Sequence, residues 1–223
     1  MITLTDRDRL IVLALLFKVP LLAESALALF WPDTDAGREN MARRLAQLCG
    51  EGLLARYAAQ AQAAEVALFY HWVPGMADPD FGRLAWALAK RWAALEPGRV
   101  VFHTATEASA RHYGRTVRNP LKAAAAVAHN IGLGAVYAHY ALHHPLLAGA
   151  WVAEEVIADS RGHGEKVVDA AVVDSTATPA LAIEFAGSSY AASNGERLRK
   201  IHADCAARGL PYEMWTVSEG GAR

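Results

Sequence analysis

The sequence predicts an α+β fold in two parts: a helical head closed by a small β-hairpin, and a tail built on a mixed sheet. Three observations carry that prediction. Apolar residues recur at helical spacing from Leu10 to Leu48, with a cap or a breaker at the end of each run. Further on, Val167, Val168, Ala170, Val172 and Val173 form a strand-like run interrupted by Asp169, and Ala180–Phe185 forms a second interrupted by Glu184. Charge is also uneven along the chain: residues 80–122 carry eight Lys/Arg against three Asp/Glu, whereas 123–223 carry seven against eleven.

The bulk composition agrees with a folded chain. Its 223 residues are 53% hydrophobic and 20% charged, which excludes a disordered or fibrous protein and leaves room for one large domain or two small ones. Cys49 and Cys205 are far apart and form no CxxC pair, so they read as reduced core or helix residues. MITLTDRDRL carries two aspartates before its apolar run and is no secretory signal. The most apolar stretch, Ala123–Trp151, is broken by four histidines, an asparagine and Pro145, which argues against a membrane span. The expected location is the cytoplasm, with no membrane partner.

In the head, Thr5-Asp6-Arg7-Asp8 has the form of a capping box with Asp in place of Glu, and it opens a helix ended by Pro20. A short helix over 21–31 stops at Pro32-Asp33-Thr34-Asp35, and a third helix runs over 37–49. On that third helix Met41, Leu45 and Leu48 make the apolar stripe, while Asn40, Arg43, Arg44 and Gln47 share another face. Those side chains carry the donors and acceptors that suit base edges and phosphates in the major groove of double-stranded DNA. Residues 53–57 and 66–73 then read as two strands around a polar tip. Three helices followed by such a hairpin is the winged helix-turn-helix pattern, with the third helix as reader. The competing reading is an ordinary solvated face, or a winged helix that docks a protein.

The expected division is a DNA-binding domain over 1–78, a connector over 79–122 and a second domain over 123–223. In the connector Leu84, Leu88, Trp92 and Leu95 form one stripe of a helix, with Arg83, Lys90 and Arg91 off it; that helix either packs back on the head or mediates a homodimer. Arg111, Arg115 and Arg118 lie among turn residues and read either as a phosphate-contacting loop or as a solvated linker. A long Ala-rich helix over 122–143 places His139 and His143 four apart, but it lacks the Glu of an HExxH motif, so zinc is disfavoured.

The tail gives, in order, a helix, a segment with Glu154 and Glu155, the Asp169 strand, the Glu184 strand, a helix and a last strand near Trp215. That order resembles the restriction-endonuclease-like, or PD-(D/E)XK, core. Taken with the LTDRDR opening, His129-Asn130, Trp151 with Glu154, Val168-Asp169-Ala170, Ile183-Glu184 and Arg197-Leu198-Arg199-Lys200, the chain resembles the plasmid replication-relaxation family. The resemblance implies a two-domain DNA-binding protein of a plasmid or mobile element. It also implies Asp169 and Glu184 as carboxylate ligands for Mg²⁺, with a lysine to activate water. Two positions depart from the pattern: Val168 stands where a proline is expected, and Ala186 stands where the lysine is expected. Lys200, with Arg197 at i−3, is the candidate to supply that charge from the next helix. Three functions follow: a DNA-binding protein whose nuclease-like domain is non-catalytic, a metal-dependent endonuclease, or an adaptor that docks a replication or mobilisation protein. The structural alternative for Asp169 and Glu184 is an ion pair with Arg197 or Lys200.

Overall fold

The computed structural model describes residues 2–62, 65–116, 124–158, 168–193 and 195–219. Helix α1 (Asp6–Phe17) starts at the expected capping box: the Thr5 hydroxyl accepts the Asp8 N–H at 3.3 Å, and the Asp8 carboxylate accepts the Thr5 N–H at 2.6 Å. The chain then forms β1 (Leu22–Ala23), α2 (Glu24–Ala28) and α3 (Asp35–Gly50), the last capped by the Thr34 hydroxyl, which accepts the Gly37 N–H at 3.0 Å. Strands β2 (Leu54–Ala61) and β3 (Val66–Trp72), helix α4 (Phe81–Ala93), strand β4 (Gly98–Ala105) and helix α5 (Glu107–His112) follow. The remaining elements are α6 (Ala124–His143), α7 (Pro145–Gly149), β5 (Trp151–Ala153), α8 (Glu154–Ala158), β6 (Ala170–Val173), β7 (Pro179–Phe185), α9 (Ser188–Ala192), α10 (Glu196–Ala207) and β8 (Tyr212–Val217). The fold is therefore mixed α/β, with two sheets among the described residues.

The expected hairpin between residues 53–57 and 66–73 does not form. Strand β2 pairs instead with β4, antiparallel from Leu54↔Ala105 to Ala61↔Gly98, and β3 pairs with β8. Alternation in a sequence marks a strand without naming its partner, and β4 matches the eight-residue length of β2. Strand β3 is claimed elsewhere because its Trp72, 5% exposed, belongs to the core built on the last strand.

This exchange redraws the expected boundaries at 78 and 122. One compact unit comprises residues 1–61 and 98–145, and the other comprises 62–97 and 146–223. The connector helix α4 is thus an integral part of the second unit rather than a linker.

The first unit holds the sheet β1-β4-β2, with Phe102, Val100 and Ala23 packed against Val127 and Ile131 of α6. A Cβ at Gly134 would sit 2.5 Å from the Leu21 carbonyl oxygen, so α6 can approach that backbone only through glycine. The second unit holds the sheet β3-β8-β7-β6-β5, antiparallel except for the β7/β8 pair. Its core joins Leu88 of α4, Ile201 and Cys205 of α10, and Ala171, Ala182 and Met214 of the sheet, all buried. Each large apolar side chain so buried contributes about 1.5–3 kcal/mol relative to exposure. No helix among the described residues is long and apolar enough to cross a membrane.

Candidate nucleic-acid interface and the buried carboxylates

Asn40, Arg43, Arg44 and Gln47 do share one face of α3, and they line a single open cleft of about 380 Å³ in the first unit. Thr5, Arg7 and Asp8 from the start of α1 and Trp31 from the α2–α3 connection complete it. The four residues singled out on α3 do not act alike, however. Arg44 is an anchor: its Nε and one terminal nitrogen reach the two Asp8 carboxylate oxygens at 3.0 and 2.5 Å, and the same terminal nitrogen donates to the Thr3 carbonyl at 2.7 Å. Its other terminal nitrogen donates to the Gln47 amide oxygen at 3.0 Å, which ties Gln47 to the anchor as well.

Asp8 therefore works twice, as the carboxylate of the α1 capping box and as the counter-ion that docks α3 on α1. It is only 1% exposed. Burial alone would raise its carboxyl, but the hydrogen bonds from Arg44 and from the Thr5 hydroxyl and amide, with the Arg44 charge, outweigh burial and hold it below the ordinary carboxylate range.

Arg43 and Arg7 are placed differently. Both are exposed, and among the described residues neither has a carboxylate within salt-bridge distance. The Arg43 guanidinium donates to the Asn40 side-chain oxygen one turn back. Arg7 lies with its guanidinium 4.5 Å from the centroid of the Trp31 ring, which holds it flat at the cleft wall. The sequence reading passed over Arg7. Its signal was local: Arg9 has Asp6 at i−3, whereas Arg7 has no acidic residue at i±3 or i±4.

The loop arginines do not gather into one place in the described structure. Arg111 pairs with Glu107 at 3.8 Å, and Arg115 lies over the Phe17 ring at 5.0 Å from its centroid. Arg118 lies outside the described residues. The His139 and His143 rings are 4.5 Å apart on α6, yet among the described residues no three His, Cys, Asp or Glu side chains are grouped to hold a metal.

In the second unit Asp169 sits just before β6 and Glu184 near the end of β7, 8% and 1% exposed. They are interlocked through the backbone. The Asp169 N–H donates to one Glu184 oxygen at 3.2 Å, and the Phe185 N–H donates to an Asp169 oxygen at 2.8 Å. The Tyr190 hydroxyl donates to the other Glu184 oxygen. Burial first, then the facing charges of Glu184 and Asp169, push the Tyr190 hydroxyl far above its ordinary range, so it stays protonated and remains a donor. Arg197 holds the outer side of this arrangement, donating to the Ser189 hydroxyl at 2.7 Å with its guanidinium 5.6 Å from the Tyr190 ring centroid.

Lys200 takes no part in this cluster. Its ammonium pairs with Glu196 at 2.7 Å on the exposed side of α10. The expected ion pair of Asp169 or Glu184 with Lys200 is replaced by hydrogen bonds from Tyr190 and from backbone amides. Tyr190, six residues beyond Glu184, is the residue that sequence reasoning missed; an aromatic hydroxyl just after a Gly-Ser-Ser turn was its only sign. A magnesium ion needs open carboxylate oxygens and usually more than one carboxylate. Here both Glu184 oxygens and one Asp169 oxygen already accept protein donors, so the described residues do not fit that ion as they stand.

The chain matches no protein-family model. No curated protein and no solved structure matches it either.

Proposed function

We propose that the protein binds double-stranded DNA through α3, with Arg43 and Asn40 facing the groove and Arg7 holding a phosphate at the cleft edge. The observation that supports this reading is the pairing of two exposed guanidinium groups, neither matched by a carboxylate, in one cleft with the amide side chains of Asn40 and Gln47. Arginines so placed attract a polyanion, and amide groups beside them can distinguish base edges. The three helices ahead of the β2/β4 pair are consistent with a winged helix-turn-helix whose wing is interrupted by residues 62–97. In this reading Arg44 and Gln47 shape the reader rather than read.

The second unit serves, in the same proposal, as a non-catalytic partner of the reader, and the resemblance to the plasmid replication-relaxation family makes a mobile element the setting. Asp169 and Glu184 fasten β6 to β7 and to α9 there, and Lys200 is not available to activate water.

Anisotropy of a labelled duplex, titrated at several salt concentrations, tests the reading. Arg7→Ala/Arg43→Ala should weaken binding at least ten-fold and lower the slope of log K against log salt by about 2, roughly one per lost phosphate contact. Unchanged affinity and slope in that double variant would sink the proposal.

A further inference from the structure

We propose that the outward face of α4 is a stacking platform for single-stranded nucleic acid, distinct from the α3 cleft and built on Trp86, Arg83 and Lys90. The chain has six tryptophans, and Trp31, Trp72, Trp92, Trp151 and Trp215 are each at most 8% exposed. Trp86 is 66% exposed. Leaving an indole in water forgoes more burial energy than any other side chain would, so its position on a well-held helix asks for a ligand.

The helix is well held. Ala85, Leu88 and Trp92 bury its inner face at 4%, 0% and 6% exposure, and the Trp92 N–H donates to the Ala186 carbonyl at 3.0 Å and the Thr216 hydroxyl at 3.2 Å. The outer face then carries Trp86 between two cations one turn away on either side, Arg83 and Lys90, over a floor of Gly82, Ala89 and Ala93. The Lys90 ammonium lies 5.6 Å from the Trp86 ring centroid. Helix α4 contains three cationic residues and no Asp or Glu, and neither Arg83 nor Lys90 has a carboxylate within salt-bridge distance among the described residues.

That chemistry selects among polyanions. A duplex offers phosphates but keeps its bases stacked away, which leaves the indole without a use. A single strand offers both a base for the indole and phosphates for the flanking cations, and a base on an aromatic ring is worth about 1–3 kcal/mol. A lipid surface would need the apolar face of α4, and that face is buried in the core. A second copy of the same face would bring Arg83 and Lys90 against their own counterparts, with no acid to offset them.

The test uses the full chain with a labelled oligothymidylate of about 15 nucleotides, within the usual single-strand site size. Anisotropy and intrinsic tryptophan fluorescence are read together. The oligonucleotide should quench the fluorescence of the exposed indole, and Trp86→Ala should weaken binding about 5- to 100-fold. Trp86→Phe should retain most of the affinity, and Arg83→Ala/Lys90→Ala should flatten the salt dependence. Because all three positions are exposed, thermal melting of these variants should match that of the parent. Arg7→Ala/Arg43→Ala should leave the oligothymidylate affinity unchanged, so failure of the α3 reading and failure of this one are told apart. The proposal is overturned if Trp86→Ala binds oligothymidylate like the parent. It is equally overturned if Trp86 is needed instead for phosphatidylserine vesicles or for self-association in sedimentation.

Discussion

Each unit buries carboxylate groups, and the two satisfy them by opposite means. In the first, Asp8 is met by the charged guanidinium of Arg44 across 36 residues of chain, at the wall of an open cleft. In the second, Glu184 and Asp169 are met by neutral donors, a tyrosine hydroxyl and two backbone amides, inside the sheet. The difference decides what each site has left to offer. Bidentate pairing at Asp8 uses one arginine fully and leaves Arg43 and Arg7 as unmatched positive charge facing outward. Amide and hydroxyl bonding at Glu184 turns the carboxylate oxygens inward and leaves no cation beside them. One arrangement presents charge to a partner; the other joins strands to a helix.

The largest effect should come from the inward arrangement. Glu184→Ala strands the Tyr190 hydroxyl and the Asp169 N–H in a buried setting, at roughly 1–3 kcal/mol for each, or about 4 kcal/mol together. Chemical denaturation of the full chain, followed by the emission of the buried tryptophans of the second unit, measures it. A loss under about 1 kcal/mol would mean that these bonds do not hold β7 to α9. Glu184→Gln is the sharper variant: it keeps an acceptor for Tyr190 but sets an amide donor against the Asp169 N–H, so it should fall between the parent and Glu184→Ala.

Arg44→Ala comes next. Removing one partner of a buried ion pair leaves an uncompensated charge and costs about 3 kcal/mol or more. That loss should be local to the first unit, and Asp8→Asn should restore part of it when combined with Arg44→Ala because no bare carboxylate then remains. Arg43→Ala, on the same helix face but exposed, should leave stability within about 0.5 kcal/mol of the parent. The contrast between neighbours Arg43 and Arg44 is the direct test of reader against anchor.

Much of this was readable from the residues, and the part that was not has a common cause. The capping box at Thr5–Asp8, the bounds of α3 within two residues and the two carboxylate-bearing segments are local patterns, and they are where the sequence placed them. The partner of β2, the second role of Asp8 and the closure of Glu184 by Tyr190 are long-range or turn-borne contacts. Periodicity reports which face of an element is buried, not what covers it. So the face bearing Asn40, Arg43, Arg44 and Gln47 was legible, while the division of labour among them was not. The same limit explains the misplaced hairpin: 66–73 reads as a strand by its alternation, and only the fold shows that β8 claims it.

Acid should separate the two units further, in two windows. His103 on β4 is fully buried, both of its ring nitrogens lack a partner, and it sits opposite Arg56, which pairs with Glu24 at 3.0 Å. Burial lowers its imidazole below the ordinary 6.5; Glu24 pulls the other way, and Arg56 adds to the lowering. A base so shifted binds its proton more readily when unfolded, so the stability present above pH 6.5 declines as pH falls below it. His103→Leu should flatten that decline, measured as the midpoint of denaturation between pH 7 and 5. Asp8 acts in the lower window: its depressed carboxyl contributes stability that is intact above 3.8 and lost as pH falls through the folded value. Asp8→Asn should remove that second step and leave the first.

The smallest expected change is the most discriminating for the second unit. Tyr190→Phe deletes one hydroxyl from the Glu184 lock and preserves the ring that packs with Leu198 and Ala186. If the hydroxyl serves only to satisfy the carboxylate, its loss costs about 1–2 kcal/mol, and pH dependence shifts because Glu184 loses a donor that favours its charged form. The double variant Tyr190→Phe/Glu184→Gln then costs less than the sum of its parts, since the two groups share one bond. Strict additivity would mean that Tyr190 and Glu184 are energetically independent. The neutral-donor account of the second unit would then fail, while the charged anchor of the first would be untouched.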